Sequence, residues 1–263
     1  MRNIRMLIQY DGTDYSGWQV QPIGVTIQGL LEESLAVITG ERVEVIAAGR
    51  TDAGVHALGQ CANFKTASLL APGVLRDALN AHLPPDIRIM RAEEADESFN
   101  ARFSATGKSY VYIISTGRII SPFLNRYLWR LPYSLNLDAM RAAAVHLTGT
   151  HDFSAFRGSG CGAKTSVRTI SSASIDAKTA IEFMTLKMEG DFIIFRFEGD
   201  AFLRHMVRNM VGTLVDVGRG KIEPADIARI LDTCDRKCAG PTAPAQGLFL
   251  ERINYPFSSR YPV

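Results

Sequence analysis

The chain has 263 residues, 46% hydrophobic and 21% charged, and 29 basic against 27 acidic side chains leave a formal net charge of +2. At ~150 residues per domain this length predicts one to two domains, and the composition excludes disorder, a fibrous repeat and a disulfide-stapled mini-protein. So small a net charge supports no polyanion binding by total charge, and any nucleic-acid site must come from local segregation of charge. The N-terminus reaches Asp11 without a cleavage-type sequence, and uncharged stretches such as 15–31 contain Gln, Gly, Pro and Thr, so neither a secretory signal nor a membrane span is expected. Cys61, Cys161, Cys234 and Cys238 are few and scattered, which fits reduced thiols in a cytosolic protein. The pair Cys234-x3-Cys238 has no second Cys or His pair beside it to complete a zinc site.

In chain order, Arg5 to Tyr10 reads as a strand ending in the turn-rich Asp11-Gly12-Thr13-Asp14. Thr26 then caps a helix that places Ile27, Leu30, Leu31, Leu35 and Ile38 on one face. Val43 to Ala48 is a β-branched run feeding the Gly-rich stretch 49–59, and Gln60 to Lys65 is a returning strand. A helix ends near Leu83, Pro84-Pro85-Asp86 turns the chain, and Glu93, Glu94, Asp96 and Glu97 read as a solvated acidic face. The same grammar then restarts: a strand Lys108 to Ser115, a helix aligning Leu137, Met140, Ala144 and Leu147, and strands Ala180 to Met188 and Phe192 to Phe197 joined by Glu189-Gly190-Asp191 as a hairpin. A helix from about Ala201 to Val217 and an edge strand Gly247 to Ile253 close the chain. This order predicts an α+β fold rather than a doubly wound parallel sheet, with two similar halves, 1–105 and 106–263.

Charge is segregated in the second half. Arg102, Lys108, Arg118, Arg126 and Arg130 run without an acid between them, and Arg157, Lys164 and Arg168 form a second such strip. Two readings stand: basic surface strips that offset the acidic cluster, or an RNA surface in which the interleaved Phe103, Tyr110, Tyr112, Phe123, Tyr127 and Trp129 stack on unpaired bases. Tyr110 and Tyr112 point to the same side of a strand, so packing under a helix competes with stacking.

The densest polar signal is Ala48-Gly49-Arg50-Thr51-Asp52-Ala53-Gly54-Val55-His56-Ala57, a strand-to-loop passage with Arg, Asp and His within seven positions. If Arg50 to Asp52 is extended, the guanidinium and the carboxylate share a face and the acid is held ionised, ready to act as a nucleophile or base. The competing reading makes Asp52 an Asx turn or cap and His56 a satisfied structural histidine. A second signal, Phe202-Leu203-Arg204-His205-Met206-Val207-Arg208-Asn209, spaces Arg204 and Arg208 i, i+4 in the first half of an apolar helix. Cations there oppose the helix dipole by about 0.3–1 kcal/mol each, which calls for an anion, either a phosphate or the Asp52 carboxylate; an edge open to water is the alternative.

Together these blocks resemble the tRNA pseudouridine synthase A family. The resemblance runs in order through Tyr10-Asp11-Gly12, Gly17-Trp18-Gln19, Gly49 to Ala57, Ala101 to Thr106, Tyr110-Val111-Tyr112, His151-Asp152-Phe153 with Phe156, Met206 to Asn209 and Gly247-Leu248. It implies isomerisation of uridine to pseudouridine at positions 38, 39 and 40 of the tRNA anticodon stem-loop, without cofactor or metal, by a cytoplasmic homodimer. It also implies two RRM-like, ferredoxin-like halves that share one mostly antiparallel sheet with a cleft between them. By the same resemblance Asp52 is the nucleophile, Tyr110 stacks on the target base and is a candidate for proton handling, and Arg208 pairs with the carboxylate. Arg50, His56 and Arg204 are further substrate contacts. A non-catalytic RNA-binding module on the same sheet would leave Arg50, Asp52 and Arg208 unexplained. A phosphate-binding transferase lacks its spacing, since 49–59 holds neither Gly-x-x-x-x-Gly-Lys nor Gly-x-Gly-x-x-Gly.

Overall fold

A computed structural model describes residues 1–183 and 185–256, apart from the side chain of Phe183. In chain order the elements are strand β1 (Arg2–Tyr10), helix α1 (Ile27–Thr39), strands β2 (Ile46–Ala47) and β3 (His56–Thr66), helix α2 (Pro72–His82), strands β4 (Ile87–Ala95), β5 (Gly107–Ser115) and β6 (Trp129–Arg130), helix α3 (Leu137–Val145), strands β7 (Gly149–Asp152), β8 (Val167–Phe183) and β9 (Leu186–Gly199), helices α4 (Met206–Gly218) and α5 (Asp226–Thr233), and strand β10 (Leu248–Asn254). The fold is α+β with mostly antiparallel pairing, as the sequence predicts. The chain divides into two compact units, Met1–Lys108 with the C-terminal segment from Phe249, and Ser109–Leu248.

In the first unit β1 lies between β4 and β3, antiparallel to both. Strand β10 joins β3 in parallel, with Phe249 opposite His56 and Leu250 opposite Ala57. Alternation along β1 buries Ile4, Met6, Ile8 and Tyr10, and Ile27, Leu31 and Leu35 of α1 are fully buried, as are Leu75 and Leu79 of α2. Thr26 caps α1 by accepting the Gly29 N–H at 3.3 Å, and Gly40 ends it in the left-handed conformation that glycine adopts without a Cβ penalty. The acidic segment is solvent-facing at Glu94, Asp96 and Glu97, as expected, while Glu93 is half-buried. Glu93 and Glu94 belong to β4 and pair across the sheet with Arg5 and with Arg2, whose Nη2 stands 3.1 Å from Glu94 Oε2.

In the second unit β8 and β9 form a long hairpin, β7 pairs with β8, and β6 pairs in parallel with β5. Phe195 and Phe197 of β9 are fully buried, as are Met140 and Ala143 of α3 and Met206, Met210 and Leu214 of α4. Glu189-Gly190-Asp191 is not the hairpin turn. It lies inside β9, where the register with β8 shifts between Lys178 and Ala180, so the Gly signal marks a bulge and the strands continue to the pair Phe183 and Leu186. Helix α4 starts at Met206, five residues later than the apolar pattern suggests, because His205 takes φ 60° and ψ 0° and breaks the helical path before it. Tyr112 is wholly buried, donating its hydroxyl to Pro244 O at 2.8 Å, and is therefore a packing residue.

The parallel β3–β10 contact depends on Gly59, where an added Cβ would stand 2.3 Å from the backbone oxygen of Glu251. Gly59→Ala is expected to cost about 1–3 kcal/mol in urea unfolding, the usual penalty of overpacking, and to speed hydrogen exchange along 248–254.

Candidate active site

The Asp52 loop connects β2 to β3. After β2 the chain leaves the sheet at Ala48, passes Thr51 without regular structure, turns at Asp52–Val55 through a 3.1 Å Val55 N–H to Asp52 O bond, and enters β3 at His56. Such a loop would be mobile if its backbone groups faced water alone, yet several of them are tied to the first unit. The Ala48 N–H donates to Cys61 O at 2.8 Å, and its carbonyl accepts the Lys108 ammonium at 2.8 Å. The Gly49 carbonyl accepts Gln60 Nε2 at 2.7 Å, and Thr51 O accepts the Trp18 N–H at 3.0 Å. The Thr51 hydroxyl meets the buried Tyr10 phenol at 2.8 Å. Asp52 itself is half-buried at the centre of these tethers.

The segment 11–18 closes over the loop, and two glycines make its approach possible. A Cβ on Gly12 would stand 2.0 Å from Val55 O, and one on Gly17, whose φ is +92°, would stand 2.7 Å from Thr51 O. Reading the sequence finds the loop's polar side chains but misses Tyr10, Gly17, Trp18 and Gln60 as its supports, since in the sequence they are only a strand end, a turn and a second strand. Their signal is the unusual density of Gly and aromatic residues directly after β1.

Arg50 is exposed, and among the described residues it forms no ion pair with Asp52, so the expected holding of that carboxylate by its near neighbour is not realised. His56 is 1% exposed. Its Nδ1 stands 3.1 Å from the Gly12 N–H and 3.1 Å from Asp11 Oδ1, and its ring stacks on Phe249 at 4.8 Å between centroids. Cys61 is buried on β3 beside Gln60, where desolvation pushes its thiol up to about 11, so it is a core thiol.

The second unit carries the other named residues. Tyr110 of β5 is 7% exposed and meets the Phe202 ring edge-on at 4.9 Å. Arg208 lies in the first turn of α4 and donates Nε to Ala243 O at 2.7 Å. Arg204 precedes the helix, so the expected i, i+4 pairing on one helical face does not form; it is exposed and donates Nη1 to Ser159 O at 3.2 Å. Of the six interleaved aromatics, Phe103 and Phe123 are exposed, Tyr127 and Trp129 half-buried, and Tyr110 and Tyr112 buried, so the two readings of the strip divide it between surface and core. Among the described residues no group of three or more His, Cys, Asp or Glu is arranged to hold a metal, and no helix is long and apolar enough to cross a membrane.

A family model described as tRNA pseudouridine synthase matches residues 6–104 and 143–256. Both the Asp52 loop and the start of α4 fall inside the matched segments, while Tyr110 falls between them. Among curated relatives, the tRNA pseudouridine synthase A of Geotalea uraniireducens is 48% identical over 255 residues, covering 97% of this chain and all of that protein. Those of Geobacter sulfurreducens and Thermodesulfovibrio yellowstonii are 45% and 43% identical with the same coverage.

Burial pushes the Tyr10 phenol up to about 12 from its ordinary 10.0, the Thr51 and Gln60 hydrogen bonds offsetting part of the shift. The unfolded chain therefore releases this proton first, so the contribution is whole below pH 10 and is lost as pH rises toward 12. Urea titrations across that range are expected to show stability falling with pH, with a flatter slope in Tyr10→Phe.

Proposed function

The chain belongs to the tRNA pseudouridine synthase family, and on that footing we propose that it converts uridine to pseudouridine at positions 38, 39 and 40 of the tRNA anticodon stem-loop, with the Asp52 carboxylate as nucleophile. The observation that carries the reading is the backbone-tethered Asp52 loop lying within the matched segment 6–104. A reaction that detaches a base and reattaches it to the same sugar needs one carboxylate in one place for the whole sequence of steps.

Chemically, the N1–C1′ bond breaks, the uracil turns, and a C5–C1′ bond forms; C5 gives up its hydrogen as a proton and N1 gains one, so the product is an isomer of the substrate. A carboxylate serves this by attacking C1′, by adding to C6, or by removing a proton from the sugar. Each route needs Asp52 ionised and water kept from the detached fragments. In this reading Arg208 is the counter-charge of Asp52, and Tyr110 replaces the stacking that the uridine loses on leaving the stem, an exchange costing a few kcal/mol. No cofactor or metal enters any step.

Surface chemistry supports an RNA substrate. Arg102 lies over the Phe103 ring at 5.2 Å, and that ring is 77% exposed, a pair suited to a phosphate beside an unstacked base. Arg50 and Arg204, both exposed, add cations for the backbone. The protein acts in the cytoplasm as a homodimer, and light scattering is expected to give twice the chain's 28.9 kDa.

The test is tritium release from tRNA labelled at uracil C5, in the presence of EDTA. Release by the native chain that vanishes in Asp52→Asn with tRNA binding retained is the expected result. No release from several unmodified tRNAs overturns the reading and leaves an RNA-binding protein without chemistry.

A further inference from the structure

The geometry points to Arg236 as a positioning residue for the reaction: it fastens residues 239–243 to α4, so that Ala243 clasps Arg208 at two points and fixes its guanidinium. The inference rests on the reading of Arg208 as the counter-charge of the nucleophile.

Arg236 follows α5 in a short 3-10 turn, half-buried, and each of its hydrogen bonds among the described residues goes to a neutral oxygen. Its Nη1 donates to Ala239 O at 3.2 Å and to Gly240 O at 2.8 Å. Its Nη2 donates to Asn209 Oδ1 at 3.0 Å and to Thr242 Oγ1 at 3.2 Å. A guanidinium withdrawn from water with no carboxylate on it is costly, and burial lowers its pKa accordingly. That arrangement is worth keeping where a planar fork must join several oxygens at once, which an ammonium cannot do.

What the fork joins is the segment 239–243 and the first turns of α4. Asn209, wholly buried, sits beside Arg208 in sequence; its Oδ1 also accepts the Thr242 hydroxyl at 2.6 Å, and its Nδ2 donates to Phe156 O at 2.8 Å. One turn on, the segment lies so close to the helix that a Cβ on Gly212 would stand 1.7 Å from Pro241 O. The segment then delivers Ala243 to Arg208, its N–H donating to Arg208 O at 3.1 Å and its carbonyl accepting Arg208 Nε at 2.7 Å. With Nε committed, the guanidinium cannot rotate freely about its stem, and the ordering cost of a long side chain is met before RNA arrives.

Removing the fork is therefore expected to act on the chemical step through Arg208 and to spare RNA binding. In single-turnover assays with a tRNA transcript, Arg236→Met and Arg236→Lys should lower the rate constant at least tenfold, with the dissociation constant for tRNA within twofold of the native value. In an Arg208→Lys background, Arg236→Met should lower the rate less than twofold further, because the group it positions is already gone. Losses that multiply in the double variant, a rate unchanged in Arg236→Met, or affinity falling in step with rate each overturn the inference. If Arg236→Met does not fold, Thr242→Val replaces it; a smaller rate loss at unchanged affinity supports the clasp, and an unchanged rate overturns it. Arg208→Lys alone separates the two readings: a full rate there removes the underlying role of Arg208, whereas a lost rate there with a native rate in Arg236→Met removes only the role of Arg236.

Discussion

A loop carboxylate is useful to this chemistry only if its backbone does not move, and the bonds that hold the carbonyls of Ala48, Gly49 and Thr51 are where the first unit meets that demand. Three donors of different kinds are used, an ammonium from Lys108, an amide from Gln60 and a backbone N–H from Trp18. Each comes from a separate part of the chain, so no single local fluctuation frees the loop. The close approach at Gly17, next to Trp18, helps bring one of those donors to the loop. Preorganisation of this kind moves the entropy cost from the reaction to folding, where a large core offsets it.

The second unit solves a related problem for a cation. Arg208 is held through Nε by a carbonyl, and that carbonyl is held by a network of neutral oxygens around Arg236 and Asn209. Neutral partners suit the purpose. A carboxylate in place of the Ala243 carbonyl would compete with any other anion for that guanidinium, whereas a carbonyl dipole orients it without adding a charge.

Local features were legible in the sequence where local physics decides them. The Thr26 cap, the α1 apolar face and strand β5 follow from spacing and capping alone. Where the sequence reading failed, a longer-range term prevailed. Gly190 carries the marks of a hairpin turn, but the pairing of β8 with β9 extends well past it and absorbs it as a bulge. The apolar run from Ala201 looks helical, but His205 takes a left-handed conformation that periodicity does not encode. In the loop, the polar cluster from Arg50 to His56 stands out by composition. What holds it does not, because Tyr10 and Thr51 are 41 positions apart and Lys108 and Ala48 are 60 apart. Burial of His56 and exposure of Arg50 likewise depend on partners that only the folded unit supplies.

If the Asp52 loop is fixed before any RNA binds, native-state hydrogen exchange of the free protein shows it directly. The Gly54 N–H donates to Tyr15 O at 3.4 Å and the Val55 N–H to Asp52 O at 3.1 Å, so both amides report on the loop itself. The Val55 amide is expected to be protected to the same order as those of β3, with Gly54 protected less because its bond is longer, and adding tRNA is expected to change neither by much. Exchange of both at the rate of an unstructured chain, with protection arising only when tRNA is added, would contradict it and make the loop a product of binding.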